Sequence, residues 1–331
     1  MNYLHYQKNK LFFDQLDLEE LSKGITTPFY LYSENLIKQN IKEYISQSND
    51  KTLFCYSVKA NSNLSILKLI ASEGMGFDVV SMGELYRVIK AGCDTKKVVY
   101  SGVGKTRAEI RYALENNILC FNVESRGELF VINDEASAMG TTANISIRVN
   151  PDVAVDSHPY ISTGLKDNKF GITYKNALSL YIKASKLSSL NIIGIDFHIG
   201  SQITSIQPFI DSIKSIRSLV SDLKKENINI THIDVGGGLG ISYEDEDIVR
   251  KADYIKEITD SLRDLNVNIV FEPGRAVIGD CGLLVTHSKD IKEAERKNFS
   301  IVDASMAGGK RRHQDNAIQE LSQRLRRSKR T

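Results

Sequence analysis

No stretch of this 331-residue chain approaches the roughly 20 consecutive apolar residues of a membrane-spanning helix. A helical membrane protein is therefore not expected. Met1 to Lys10 has no apolar segment behind a basic start, so no secretory signal is expected and the cytoplasm is the expected compartment. Cysteine is sparse. Cys55, Cys93, Cys120 and Cys281 stand far apart, with no CxxC pair. That spacing points away from a disulfide scaffold and gives no sign of a metal site; it is that of free thiols in a reducing compartment.

A large charge of one sign is missing too. The formal net charge is +2, and it is local: Ala307 to Thr331 holds eight basic residues against two acids, leaving about −4 for the rest. A mildly acidic body argues against nucleic-acid binding, which only the basic tail could support. Length and apolar fraction are ordinary, enough for one large domain or two smaller ones with a sizeable core.

What the chain does have is regular alternation. Residues 1–25 show no clear period, Pro28 to Tyr32 reads as a short strand, and Ser33 can cap a helix running through Leu36, Ile37, Ile41 and Ile45. From Lys51 onward, β-rich runs at 53–58, 77–80, 97–101, 118–123, 144–150, 192–198, 230–235 and 268–272 alternate with helical patterns near 63–74, 83–91, 106–116, 126–137, 175–187, 206–226 and 247–265. Eight near-continuous apolar strands, each followed by a helix, predict a parallel sheet covered by helices. Eight units in about 220 residues predict a closed (β/α)8 barrel rather than a doubly wound sheet.

In such a barrel, chemistry sits at the carboxyl ends of the strands. Lys59 ends the first strand in Tyr56-Ser-Val-Lys-Ala-Asn61. Asp78 and Ser81 end the second, Arg148 and Asn150 the fifth, and His198 with Gly200-Ser201 the sixth. Gly236-Gly237-Gly238 follow the seventh, and Glu272-Pro273-Gly274-Arg275 the eighth. A lysine closing an apolar strand is either a stem reaching out to water or an amine that condenses with an aldehyde cofactor. Consecutive glycines are either a plain turn or a backbone cradle for an anion, and Arg275 offers a planar cation for phosphate or carboxylate. Glu272 is either paired with Arg275 or Lys59, or faces a cofactor nitrogen. His198 is either structural or a flat ring to stack on a cofactor. Gly102-Val-Gly-Lys-Thr106 looks like a phosphate loop but has Val99 where that motif needs glycine, so an NTPase is discounted.

Together these residues resemble the fold-type III pyridoxal-phosphate decarboxylases, and within them the branch acting on diaminopimelate. The similarity runs in family order from about residue 25 to 306, through Tyr56–Asn61, Phe77-Asp-Val-Val-Ser81 with Gly83-Glu84-Leu85, Ile147-Arg-Val-Asn-Pro-Asp152, His158–Gly164, Lys169-Phe-Gly-Ile172, Phe197-His-Ile-Gly-Ser-Gln202, Asp234–Gly240 and Glu272–Arg275. The resemblance implies an alanine racemase-like barrel over 33–276, with 1–32 and 277–306 contributing to an incomplete second β-domain. It implies pyridoxal 5'-phosphate held by Lys59, a ring-stacking His198, and cofactor contacts from Asp78, Arg148, Ser201, Gly236, Gly237, Gly238, Glu272, Pro273, Gly274 and Arg275. Arg275 would also meet a substrate carboxylate. A small amino acid is the implied substrate, meso-diaminopimelate going to L-lysine, with a homodimer as the family's assembly and neither nucleic acid nor membrane as partner. Glu272 separates the chain from the related alanine racemases. Gln202 and Leu239 favour the diaminopimelate branch over ornithine decarboxylases. Another amino-acid decarboxylase (ornithine/lysine or carboxynorspermidine type) and a cofactor-binding remnant without turnover remain alternatives.

The likeness stops after Ile301–Met306. Residues 307–331 are polar and basic, with Ile318, Leu321 and Leu325 on one possible helical stripe. A truncated or frameshifted second domain is the expectation, with strands at 282–288, 299–303 and near Phe29 forming one partial sheet, an exposed apolar face, and impaired decarboxylation.

Overall fold

The computed structural model describes residues 3–151, 169–243, 246–293 and 298–304. The chain divides into two compact units, the described parts of Met1–Ile37 with Cys281–Thr331, and Lys38–Asp280.

The first unit begins with β1 (Leu4–Gln7), β2 (Lys10–Phe13) and β3 (Leu16–Asp17), an antiparallel sheet in that order. Its first hairpin turns through Lys8 and Asn9, both at positive φ, the conformation of a tight two-residue turn. Asp17 caps α1 (Leu18–Gly24), accepting from the amides of Glu19 and Glu20. β4 (Phe29–Tyr32) follows, then α2 (Glu34–Ile45), where the Leu36 amide donates to Ser33 Oγ as expected of a cap.

The second unit is a closed barrel. Its strands are β5 (Thr52–Ser57), β6 (Gly76–Val79), β7 (Val98–Tyr100), β8 (Cys120–Val123), β9 (Ala143–Asn150), β11 (Leu190–Asp196), β12 (His232–Asp234) and β13 (Asn268–Phe271), all pairing in parallel, with β8–β9 and β13–β5 completing the circle. A two-residue β10 (Ile172–Thr173) adds to β9. The strands are buried on both faces, which is why their sequences are apolar runs without alternation. Helices α3 (Leu64–Ser72), α4 (Met82–Lys90), α5 (Arg107–Glu115), α6 (Arg126–Ala138), α7 (Tyr174–Ala184), α8 (Gln207–Lys225) and α9 (Lys251–Leu262) link successive strands. Asn63, Ser81, Thr106 and Ser125 cap α3 to α6 with their side chains. Each cap sits a few residues past a strand's carboxyl end, so the caps fix the rim loops.

The interior is apolar at one end and polar at the other. Strand register pairs Ser57 with Asp78, Asn122 with Ser146, and Asp196 with both Arg148 and Asp234. Neighbouring strands therefore place polar residues at one level, just below the carboxyl-end rim.

Short α10 (Arg275–Ile278) leads back to the first unit through β14 (Gly282–Val285), β15 (Ser288–Lys292) and β16 (Phe299–Val302). The expected single partial sheet is not what forms. β14 pairs with β4, whereas β15 and β16 make a separate ladder. Thr286-His287 interrupts the strand, and Asp303 holds that break: its carboxylate accepts from the His287 amide at 2.9 Å, and its own amide donates to the His287 carbonyl at 3.1 Å. Phe299 and Ile301 are exposed on one face of this ladder and Ile291 on the other. The motif His158–Gly164 and the tail 307–331 lie outside the described residues.

Candidate active site

Lys59 stands in a single 3₁₀ turn, Val58–Ala60, immediately after β5. Its ammonium donates to Asp78 Oδ2 at 3.0 Å, and the same oxygen accepts Ser57 Oγ at 2.9 Å. Asp78 is fully buried while the Lys59 side chain is 48% exposed, so the amine stands in the barrel mouth within reach of a ligand. Loss of water in the mouth pulls the ammonium down, but Asp78 and Glu272 outweigh that and hold it above the ordinary lysine value.

Below Lys59 lies the polar layer. Glu272 Oε1 accepts from Ser101 Oγ at 3.3 Å and Asn122 Nδ2 at 3.5 Å, and Asn122 also reaches Asp234 Oδ2 at 3.4 Å. Asp196, Asp234 and Glu272 carry oxygens all within 4.8 Å of one another, and all three are buried. Three carboxylates cannot all ionise there. Burial, then the charges of Asp234, Asp78 and Asp196, push Glu272 well above the ordinary carboxylate range. Asp234, raised chiefly by burial, is pushed up to about 7. Burial and Asp234 raise Asp196 as well.

The wall after β12, next to Glu272, is built on glycine. A Cβ on Gly237 would lie 2.1 Å from the Glu272 carbonyl oxygen, and Gly238, at φ +110°, would place one 2.5 Å from the Gly200 carbonyl. Only bare backbone fits, so the loop packs directly against those carbonyls. The Gly236 amide is bonded to Asp234 Oδ1 at 2.9 Å and the Gly237 amide to His198 Nδ1 at 3.2 Å. Because Nδ1 accepts, the neutral ring carries its proton on the other nitrogen. Burial, then Arg148 and Lys59, push His198 well below the ordinary imidazole value, which keeps it neutral. Gln202 ties its own loop to this one, donating to the Ile241 carbonyl at 2.5 Å and accepting from the Ile241 amide at 3.3 Å. A small cavity of about 10 Å³ lies at the loop, lined by Gly236–Gly238, Pro273 and Gly274 among others.

Residues 34–279 match the family profile described as "Pyridoxal-dependent decarboxylase, pyridoxal binding domain". The chain belongs to the pyridoxal-dependent decarboxylases. A diaminopimelate decarboxylase of Vibrio cholerae is 48% identical over 309 residues, 92% of this chain and 74% of that protein. One from Pseudomonas aeruginosa is 45% identical, with the same coverage. Among solved structures, diaminopimelate decarboxylase from Helicobacter pylori complexed with L-lysine superposes with a TM-score of 0.85 at 44% identity, over 88% of this chain and 73% of that one. Diaminopimelate decarboxylase from M. jannaschii in co-complex with L-lysine gives 0.87 at 37% identity, over 92% of this chain and 74% of that one.

A pyridoxal-dependent decarboxylase must hold an aldehyde, a ring nitrogen and a phosphate, and the residues fit all three. Lys59 presents the amine. Glu272 is a buried acid below it. Gly236–Gly238 pack their backbone against the Phe197, Glu272 and Gly200 carbonyls, where a Cβ would collide, and among the described residues Arg275 has a buried Nε without a hydrogen-bond partner that could meet the phosphate. Lys59, Asp78, Arg148, His198, Gly236–Gly238 and Glu272 come together through direct contacts or mutual charge effects. The Pro273 carbonyl accepts the Ser57 amide at 3.1 Å, and Gly274 packs on Ser57 and Ala60, so the 272–274 turn abuts the Lys59 turn. Ser201 lies in the loop held by Gln202. Arg275 points instead to the Tyr243 hydroxyl, and its charge is not among the main ones acting on Lys59, His198 or Glu272.

Sequence reasoning missed Ser101, Asn122 and Glu124. They end the third and fourth barrel strands, and the carboxyl-end rule applied there as elsewhere finds them. It also left Gly102–Thr106 unexplained. Lys105 is buried, donating to the Gly102 carbonyl at 2.8 Å, the Asn122 carbonyl at 2.9 Å and Glu128 Oε1 at 2.8 Å. The lysine thus clamps a rim loop rather than binding a nucleotide. Glu128→Ala would strand that cation, with an expected loss of about 3 kcal/mol; the urea midpoint of the variant checks it, and an unchanged midpoint contradicts the clamp.

Proposed function

We propose that the chain decarboxylates meso-2,6-diaminopimelate at its D centre to L-lysine and carbon dioxide. The observation that carries this reading is Lys59 in the barrel mouth above buried Glu272, on a chain 44–48% identical to several proteins named diaminopimelate decarboxylase. L-lysine complexes of two solved relatives supply the product's chemistry.

When bound, pyridoxal phosphate supplies an aldehyde for the substrate amine and a ring that accepts the electron pair left when the carboxylate departs. Lys59 holds it and afterwards carries a proton at Nζ for the α-carbon. Asp78, bonded to Lys59 Nζ at 3.0 Å, holds the amine in place. Glu272 stands against the ring nitrogen with a proton to give. His198, neutral and fixed by the Gly237 amide, offers its flat face. Gly238 and Ser201, with Gly236 and Gly237 shaping the cradle, take the phosphate beside Pro273, Gly274 and Arg275. Arg148, in β9, adds positive charge to the pocket, and Arg275 also meets a substrate carboxylate. Residues 33–276 are assigned to this barrel, and 1–32 with 277–306 to a second β-domain. The assembly proposed is a homodimer and the compartment the cytoplasm, in keeping with cysteines that stand far apart in the sequence with no CxxC pair.

With cofactor added, the protein should release carbon dioxide and L-lysine from meso-diaminopimelate and leave ornithine and L-lysine untouched. Turnover of ornithine instead would move the assignment to another branch. Cofactor binding without any turnover would leave a binding remnant.

A further inference from the structure

The carboxylate of Glu124, fully buried just past β8, serves three rim segments at once. Its Oε1 accepts the Gly102 amide at 2.9 Å and Arg148 Nη1 at 2.7 Å; its Oε2 accepts the Gly171 amide at 2.8 Å. Those partners lie after β7, in β9 and before β10. Both glycines have positive φ, +91° at Gly102 and +73° at Gly171. A Cβ at Gly171 would sit 3.2 Å from the Arg148 carbonyl oxygen, so the turn is moulded around that arginine.

Arg148 is held on every side. Besides Glu124, its Nε lies 3.8 Å from Asp196 Oδ2, and its guanidinium covers the Phe170 ring at 5.0 Å. The second anion in its reach thus belongs to the acid layer under the cofactor pocket. With Glu124 in place, the stronger bond draws the guanidinium to the rim. Without Glu124, the ion pair that remains among the described residues, with Asp196, draws it toward the acid layer. Buried charges held by one good partner respond strongly to losing it.

We propose that Glu124 is a positioning residue for the cofactor pocket: it fixes the Arg148 guanidinium and the Gly102 and Gly171 turns before the cofactor arrives. It touches neither cofactor nor substrate. The reading rests on pyridoxal phosphate being the ligand, and preformed support of this kind is what a precise site needs.

The test is a double-mutant cycle on the full chain, read as the dissociation constant of pyridoxal phosphate from the absorbance change on titration. Glu124→Gln should weaken binding about 10- to 100-fold, the equivalent of one charge-assisted hydrogen bond. Arg148→Gln should do the same, and the double variant should be no weaker than the worse single one, because Glu124 acts through Arg148. Losses that multiply, or an E124Q protein that binds like wild type, would overturn the proposal. A wild-type chain that binds no pyridoxal phosphate would instead overturn the ligand assignment. If E124Q does not fold, hydrogen exchange on wild type decides. The Gly102 and Gly171 amides should be protected without cofactor; fast exchange that slows only on adding it would show that the cofactor, not Glu124, builds the turns.

Discussion

Lys59→Ala should lower decarboxylation at least about 10³-fold, within the range lost with a proton-transferring side chain, and should abolish covalent retention of the cofactor. Borohydride treatment of wild type should leave pyridoxal phosphate fixed to the peptide carrying Lys59; the variant should carry none. The informative control is Lys59→Arg. A guanidinium can keep the ion pair with Asp78, which otherwise stays buried with Ser57 as the one donor to Oδ2 among the described residues. It cannot supply a neutral amine near neutral pH. K59R should therefore fold as stably as wild type and yet fail to retain the cofactor, separating the chemical role of the residue from its charge. Since Asp78 and Glu272 hold the ammonium above its ordinary value, capture in wild type should quicken as pH rises. Covalent label in K59A or K59R would mean that another amine does the work.

How far this site could be read in advance depends on the kind of signal each residue leaves. The barrel was legible because parallel strands buried on both faces are apolar runs, and β5 to β9 and β11 to β13 fall within a few residues of the runs seen in the sequence. Lys59, His198 and Glu272 were legible because each interrupts such a run at its carboxyl end. The β1–β2 hairpin was not, since Lys8 and Asn9 take left-handed backbone without the glycine that advertises a turn. Nor was the separation of β14 from β15, which depends on Asp303 meeting His287 from sixteen residues away. Lys105 shows the limit of motifs: its glycine-flanked setting suggests phosphate, but only the fold brings Glu128 and two carbonyls to its three donors.

Charge in the polar layer has an effect that no strand pattern reveals. Asp234→Asn should make the cofactor-free chain markedly more stable relative to wild type at pH 7–8 than at pH 4. In the unfolded chain Asp234 releases its proton near the ordinary carboxylate value of about 4. In the folded chain it does so at about 7. Between those values the folded protein keeps a proton that the unfolded one has lost, so stability falls as pH rises, by up to about 1.4 kcal/mol per pH unit. Below that window both states are protonated, and above it both are ionised, so the contribution is flat outside it. Asparagine does not titrate, and it can keep the bond from the Gly236 amide. The variant should escape a penalty that reaches on the order of 4 kcal/mol by neutral pH. Asp234 is the largest charge raising Glu272 after burial itself, so the same change should bring Glu272 down and let it ionise at a lower pH. Urea unfolding of both proteins from pH 4.5 to 8 measures this directly. The wild-type midpoint should decline more steeply across the window than that of D234N, which keeps only the slope from the buried Glu272 and Asp196. Parallel curves would mean that Asp234 keeps no extra proton in the folded chain and that its charge does not couple to Glu272.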